Sequence, residues 1–509
     1  MNALMKNIVS DKLYSIIIVA FVIFFFVLIY ISMYWGVGLT PDSLVYIRIA
    51  ESFATGNASD SSQHYPPLYS FLLFLPSVVI DDTLISARWI QILIFLSTLV
   101  SLAIMLKRIT DQRTGWVLIG IFAIFTAPHL FIIYMMALSE SLFLLLTLTG
   151  FNFHANFISN QKKSILIWSA IFFALAFSAR YVGIVPIGTA IISLIIFSRQ
   201  PWKEKLKNAG LFTFLSLSPM VLWMLWGKVT KEPGSPRVFA FHPISIEKLS
   251  SGIEEMLGWF LLSSTMSWVL LSIFLVSYIF LAVMCRTGDC SHLTVAIMLR
   301  KILFLFVPLY LLFLMISISF FDAHTPLDSR ILSPVYFFLM VALILGLSSI
   351  TTDKPLCRLF NISAFLVVLI LCFLQIMHLK LQVTHLSTNG VGFLSRQWVE
   401  SDTLAFVRNE QAGRSVIYTN APEIIEIHLK RKSKLLPQRE SATSKKIYEN
   451  FLDSLRQLQQ DFRDNDAILI YFYAFSYRTY LIGLDELDAN IDMDILYKGR
   501  DGIVLQAHD

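Results

Sequence analysis

Runs of about 20 uninterrupted apolar residues, each long enough to cross a bilayer core as a helix, recur from residue 13 to residue 379. They fall at 13–34, 83–106, 114–133, 137–157, 164–179, 182–198, 209–227, 257–284, 302–321, 331–350 and 360–379. Hydrophobic residues make up 56% and charged residues 15% of the 509 positions, well outside the balance of a soluble globular chain. The chain is therefore expected to be a polytopic α-helical membrane protein of about eleven transmembrane helices.

A shorter apolar stretch, 66–80, opens on Pro66-Pro67 and stops at Asp81-Asp82. Charge decides how it sits. If it does not cross, Lys107, Arg108, Lys162, Lys163, Lys203, Lys205, Lys207, Arg300 and Lys301 all fall on the cytoplasmic side, and few basic residues fall outside. That distribution follows the positive-inside rule, whereas a crossing at 66–80 would reverse every later loop. The segment is read as interfacial or re-entrant, with a cytoplasmic N-terminus and an external C-terminus. The run 13–34 is too long for a signal-peptide core and lacks a small-residue cleavage site, so it reads as a retained anchor.

The net charge of +5 comes from short loops facing anionic lipid, and no basic tract with interleaved aromatics calls for a nucleic-acid partner. The four cysteines, Cys285, Cys290, Cys357 and Cys372, lie in or beside spans, so external disulfides are not expected. Cys285, Cys290 and His292 have irregular spacing and make a poor zinc set.

Two regions leave the lipid. One is a set of external loops, led by residues 35–82. There G-L-T-P-D-S-L-V-Y-I-R-I-A-E-S-F-A-T-G places Thr40 at an N-cap, Pro41 at the first helical position, Asp42 in the first turn and Gly56 at a C-terminal stop. Val45, Tyr46, Ile49, Ala50 and Phe53 recur at helical spacing opposite Ser43, Arg48, Glu51, Ser52 and Thr55, the pattern of a helix lying on a membrane surface. The other region is the tail, 381–509, where charge rises. Strands are expected at 415–420, 433–437, 467–473 and 501–506, with helices at 421–432, 442–463 and 478–488. This is a small external α/β domain with a largely parallel sheet, carrying no nucleotide fingerprint and no triad. The membrane domain is then 1–380.

Four motifs in this order resemble the GT-C superfamily of polytopic glycosyltransferases, especially the branch similar to bacterial protein O-mannosyltransferases and aminoarabinose transferases. They are P-D-S-L-V-Y-I-R-I-A-E-S-F-A-T-G in the first external loop, H-Y-P-P-L-Y-S-F-L-L after it, A-L-S-E-S-L-F-L-L-L with S-A-R-Y-V-G-I-V-P, and D-S-R-I-L-S-P-V-Y. The likeness covers about residues 10–350. It implies transfer of a sugar from a polyprenyl-phosphate donor to a lipid, glycan or protein acceptor at the outer face of the membrane, in a bacterial inner membrane with the tail in the periplasm. Relatives often carry Asp-Glu where this chain has Asp42-Ser43, so a second carboxylate must come from elsewhere or is not needed. A divalent cation, Mg or Mn, is a candidate cofactor only.

Such chemistry needs a base for the acceptor proton and cations for the leaving phosphate. The resemblance places Asp42 as the base, although Asp also favours a helix's first turn through the macrodipole. Glu140, near the outer end of a span, is costly there unless it faces a cavity or a partner, and orients an acceptor or merely starts a helix. Arg180 and Arg330 lie outside against the general bias and suit a phosphate; each equally suits a headgroup anchor, or an ion pair with Asp322 or Asp328. Arg237, in K-E-P-G-S-P-R, is a further phosphate candidate or a solvated loop charge. Tyr46, His64, Tyr65 and Tyr69 are candidates for acceptor or sugar contact, though tyrosines also mark membrane interfaces. His324, with Asp322 and Asp328, reads as a polar loop rather than a metal site. A multi-span transporter and a non-catalytic envelope-assembly protein are the competing functions. The clustering of ionisable residues at outer helix ends favours surface chemistry over a transport path.

Overall fold

The computed structural model describes residues 2–55, 65–80, 82–109, 114–230, 241–260, 265–268, 272, 294–321, 325–348, 355–410, 416–440, 447–448, 450–464 and 467–508. Among the described residues seven helices are long and apolar enough to cross a membrane, or eight if one bent pair is a single span. They contain Lys12–Ser32, Thr83–Ile109, Ser139–Asn160, Trp202–Trp226, Val295–Phe320, Ser329–Ser348 and Ile362–Asn389. In chain order the helices of this part are α1 (Asn2–Ser32), α2 (Pro41–Thr55), α3 (Leu68–Ile80), α4 (Thr83–Ile109), α5 (Thr114–Phe125), α6 (Pro128–Tyr134), α7 (Ser139–Asn160), α8 (Lys163–Ala179), α9 (Ile184–Phe197), α10 (Trp202–Thr230) and α11 (Ile246–Gly258). They continue with α12 (Val295–Phe320), α13 (Ser329–Ser348) and α14 (Pro355–Asn389).

The expected span 114–133 is not one straight helix. α5 and α6 are bent by 67° at a break across Thr126 and Ala127. Pro128 explains it: its ring disfavours helical backbone at Ala127, which sits at φ −62°, ψ 115°. The expected spans 164–179 and 182–198 become the shorter helices α8 and α9, and most of 257–284 lies outside the described residues. The stretch 66–80 forms the 13-residue α3, about 20 Å long at the helical rise and too short for the hydrocarbon core.

α13 is the centre of the bundle. Nearly every residue from Leu332 to Ser348 is buried, whereas most of α1 is not, because α12, α5, α6 and α7 pack against α13. Phe306, Phe338 and Phe151 interlock edge to face at 5.0–5.7 Å, joining α12, α13 and α7. Such pairs contribute about 0.5–1.5 kcal/mol each beyond their buried area.

The tail forms a five-stranded sheet from β1 (Val416–Thr419), β2 (Lys434–Leu435), β3 (Ala467–Phe472), β4 (Met493–Lys498) and β5 (Gly502–Ala507), in the order β2-β1-β3-β5-β4. β2, β1 and β3 are parallel, whereas β5 runs antiparallel to both β3 and β4. The largely parallel sheet expected from sequence is thus corrected to a mixed one. β4 escaped notice because its alternation is weak, and the short Gly499–Asp501 connection can only join it to β5 as an antiparallel hairpin. Residues of β3 alternate strictly. Ile468, Ile470 and Phe472 join the core that is continuous with the membrane helices, and Leu469 packs under Leu455, Leu458 and Phe462 of the amphipathic helix Phe451–Arg463.

α8 and α9 are joined by the tight turn Tyr181–Gly183, in which a Cβ on Gly183 would lie 2.4 Å from the Phe177 Cα. Because that neighbour is backbone, Gly183→Ala is expected to destabilise by about 1–3 kcal/mol as overpacking does. A thermal midpoint in detergent equal to that of the wild type would contradict this packing.

Candidate active site

The loop between α1 and α4 is held by backbone ladders before any side chain is considered. Gly38 N–H donates to the Met135 carbonyl and Ala137 N–H returns a bond to the Gly38 carbonyl, both at 2.8 Å. This bridge sets the chain leading to α2 beside the chain leading to α7. A Cβ on Gly38 would meet a Val391 methyl at 2.7 Å and the Met135 carbonyl oxygen at 3.2 Å, so a side chain there would crowd both segments packed against it. Thr40 then caps α2 reciprocally: Ser43 N–H donates to Thr40 Oγ1 at 3.3 Å and Thr40 N–H donates to Ser43 Oγ at 3.0 Å. Ser43, where the resembling family often has an acid, is a capping residue here.

These contacts place Asp42 and Glu140, each in a first helical turn, on one pair of guanidiniums. Arg330, in the first turn of α13, donates to Asp42 Oδ2 and its Nε lies 2.5 Å from Glu140 Oε1. Arg180, at the C-terminal end of α8, pairs with the same Glu140 oxygen. The result is a continuous charge chain, Asp42–Arg330–Glu140–Arg180. Glu140 is 3% exposed and Arg180 17%, while Asp42 and Arg330 open to solvent at 25% and 32%. The inner end of the chain is therefore structural in character and the outer end is accessible.

Asp42 Oδ1 also accepts the Tyr65 hydroxyl at 2.7 Å. Burial pushes the Asp42 carboxyl up, but the Arg330 charge, the Tyr65 and Arg330 hydrogen bonds and the Arg180 charge outweigh it and leave it below the usual carboxylate range. The Tyr65 phenol is pushed up by burial and by the Asp42 carboxylate it donates to, so it stays a proton donor.

Seven of the nine sequence candidates meet here: Asp42, Glu140, Arg180, Arg330, Tyr46, Tyr65 and Tyr69. Arg237 and His64 lie outside the described residues, as does the loop with His324 and Asp322. Three expectations need correction. Tyr46 and Tyr69 are 4% and 0% exposed, so they back the site rather than reach a sugar. Tyr46 stacks edge to face between Tyr65 and Tyr69, at 5.1 and 5.0 Å, and its hydroxyl bonds Ser139 at 2.8 Å. Arg330 pairs with Asp42 and Glu140 rather than with Asp328, whose Oδ1 accepts the Ile331 N–H at 3.0 Å at the start of α13. α2 also differs from a surface helix: Leu44 and Ile47 are buried along with Tyr46, Ile49 and Ala50, because protein covers it on two sides.

Two supporting residues escaped the sequence reading. Gln91 of α4 donates to the Tyr69 hydroxyl at 2.7 Å and to the Leu138 carbonyl at 2.9 Å, and accepts from Ser141 Oγ at 2.8 Å. It locks the start of α7, and with it Glu140. Tyr310 of α12 donates to the Ile331 carbonyl at 3.0 Å, beside Arg330. Both are polar groups inside apolar runs, and the cost of leaving such groups unpaired in lipid was the available signal.

The donor set does not fit a resident divalent cation. Among the described residues no three His, Cys, Asp or Glu side chains converge, and both carboxylates of the site are already met by guanidinium groups.

Among the described residues Glu140 is the carboxylate that touches both arginines, so Glu140→Ala leaves the largely buried Arg180 without its acidic partner. The expected loss of stability is about 3–5 kcal/mol, the range for breaking a buried pair from one side. A thermal shift in detergent measures it, and an unchanged midpoint would show that the chain carries no structural charge.

Residues 64–223 match the family model of dolichyl-phosphate-mannose-protein mannosyltransferases. None of the curated proteins matches the chain. Among solved structures, ArnT from Cupriavidus metallidurans bound to undecaprenyl phosphate superposes with a TM-score of 0.60 at 13% identity, covering 97% of each chain. The arabinofuranosyltransferase AftD from Mycobacteria gives a TM-score of 0.55 at 12% identity over 97% of this chain and 40% of that one. The archaeal oligosaccharyltransferase AglB from Archaeoglobus fulgidus, in complex with an inhibitory peptide and a dolichol-phosphate, gives 0.51 at 11% identity over 89% and 69%. The expected architecture of long apolar helices with a small α/β domain is thereby met, and the chain is a multi-pass membrane protein of the GT-C fold.

Proposed function

We propose that this protein is a membrane glycosyltransferase that moves a sugar from a polyprenyl-phosphate donor to a lipid, glycan or protein acceptor at the outer face of the membrane. The observation that carries the reading is the sharing of Arg330 between Asp42, the accessible carboxylate, and Glu140, the buried one. The matched family segment and the lipid phosphates held by ArnT and AglB support the donor class. The charge bias of the loops supports an N-terminus inside and an α/β tail outside, and the resemblance to the bacterial branch supports a bacterial inner membrane.

The reaction runs as one displacement. The acceptor hydroxyl or amine attacks the anomeric carbon, the bond from that carbon to the phosphate oxygen breaks, and its electrons leave with the polyprenyl phosphate. The acceptor's proton goes to Asp42. Arg330 supplies the leaving phosphate with a bidentate cation, backed by Arg180. The present arrangement gives that exchange a direction. While Arg330 is paired with Asp42, the carboxylate is a weak base; a phosphate that takes the guanidinium releases Asp42 and raises its basicity where the proton must be accepted. Glu140 keeps both arginines in place and neutralises the site between turnovers.

The first test is transfer by purified protein in liposomes from a panel of polyprenyl-phosphate sugars, wild type against Asp42→Asn. Loss of at least about 100-fold in a still-folded variant is expected of a general base. Wild-type rates in the variant would sink Asp42 in this role, and no transfer from any donor would favour a non-catalytic or transport function. The pH profile adds a signed check. Because Asp42 is held below the usual range, the base form persists as pH falls and is lost only on passing through that lowered pKa. Arg330→Gln removes the strongest lowering charge, so the acid limb of kcat/KM should move to higher pH in addition to any loss of rate.

A further inference from the structure

The chain segment that enters α2 is clasped from the other side by the α/β tail. Leu39, three residues before Asp42, forms a parallel bridge with Gly392, and Phe393 N–H donates to the Leu39 carbonyl at 3.0 Å. Gly392 adopts φ +68°, and a Cβ there would fall 2.1 Å from the Leu39 carbonyl oxygen and 2.7 Å from its nitrogen, so glycine alone permits this approach. Leu39 is fully buried. The clasp is rooted in the α/β domain. His428 Nε2 donates to the Phe393 carbonyl at 2.8 Å, and the Phe393 ring packs on Phe475, which packs on Trp398 against the β3 residue Phe472. A second tie reaches α2 itself. Arg48 holds Glu426 of the helix Pro422–Leu429 in a two-point contact, Nε to Oε1 at 2.9 Å and NH2 to Oε2. That exposed pair alone contributes no more than about 1 kcal/mol, so the buried Gly392–Leu39 bridge is the main constraint.

We infer that the C-terminal α/β domain is a positioning element for the Asp42 carboxylate, acting through the Gly392–Leu39 bridge. Asp42 must stand within hydrogen-bond reach of both Arg330 and an incoming acceptor, and its backbone follows the bridged segment directly. The Gly38–Met136 bridge fixes that segment relative to Glu140 and the Leu39–Gly392 bridge fixes it relative to the domain. The helix start is thus determined from two sides. A domain that moved away would release one of them. The inference rests on Asp42 being the base of the proposed transfer, and the experiment separates the two.

Gly392→Ala in the full chain is expected to lower kcat by about 10- to 100-fold, the scale on which a misplacement of about 1 Å acts, while the donor KM stays within about twofold. Hydrogen exchange should show the amides of residues 38–44 opening faster in the variant, by about tenfold, with the membrane helices unchanged. His428→Ala should reproduce the effect in weaker form, and His428→Gln, which keeps a side-chain N–H for the Phe393 carbonyl, should restore kcat. Wild-type kcat in Gly392→Ala, a loss carried by KM, or a lowered kcat with unchanged exchange at 38–44 would each overturn the positioning role. If the wild-type protein transfers no sugar, the catalytic reading fails by itself, and the exchange measurement still decides whether the domain holds the start of α2.

Discussion

Four ionised side chains are concentrated at adjoining helix ends, and their partial burial is tolerable because they neutralise one another. Asp42, Arg330, Glu140 and Arg180 come from four separate stretches of chain and form a single alternating sequence of charges. Taking any one of them from water alone costs several kcal/mol; the alternation offsets that cost and also dictates which helix ends must adjoin. The packing around them serves this requirement. Gln91 holds the start of α7, the Gly183 turn lets α8 and α9 close behind Arg180, and the Gly38 bridge lays α2 beside α7.

The same chain of charges leaves one accessible acid, Asp42. The position following Asp42 holds a serine that caps its own helix, so the second carboxylate arrives from α7 as Glu140. Glu140 does not stand beside Asp42 as a metal-binding partner; a guanidinium separates them. Two acids bridged by an arginine form an ion-pair site whose outer cation a phosphate can compete for. That is the property on which the proposed exchange at Arg330 depends.

Much of the architecture was readable because it is local. The apolar runs marked the spans, and Thr40 and Pro41 marked the start of α2, which begins at Pro41; the expected stop at Gly56 lies outside the described residues. Four of the five strands fell where apolar segments broke the charged tail. The misses were also physical. β4 has a half-exposed, weakly alternating pattern and took its place through pairing with β5, which turned an expected parallel sheet into a mixed one. α2 carries the periodicity of a surface helix, yet lies buried on two sides.

The sequence by itself determined which stretches are apolar enough to enter lipid, and it singled out Asp42, Glu140, Arg180 and Arg330 as charged residues beside the ends of those stretches. Those are consequences of composition and of periods of two to seven residues. Tertiary structure alone decided the pairing: that Arg330 meets Asp42 across 288 positions and not its neighbour Asp328, that Tyr46 and Tyr69 are walls and Tyr65 a contact, and that Gly392 closes on Leu39. Helix and strand preferences are set by near neighbours, whereas an ion pair forms wherever packing brings opposite charges out of water together, and no local pattern encodes that distance.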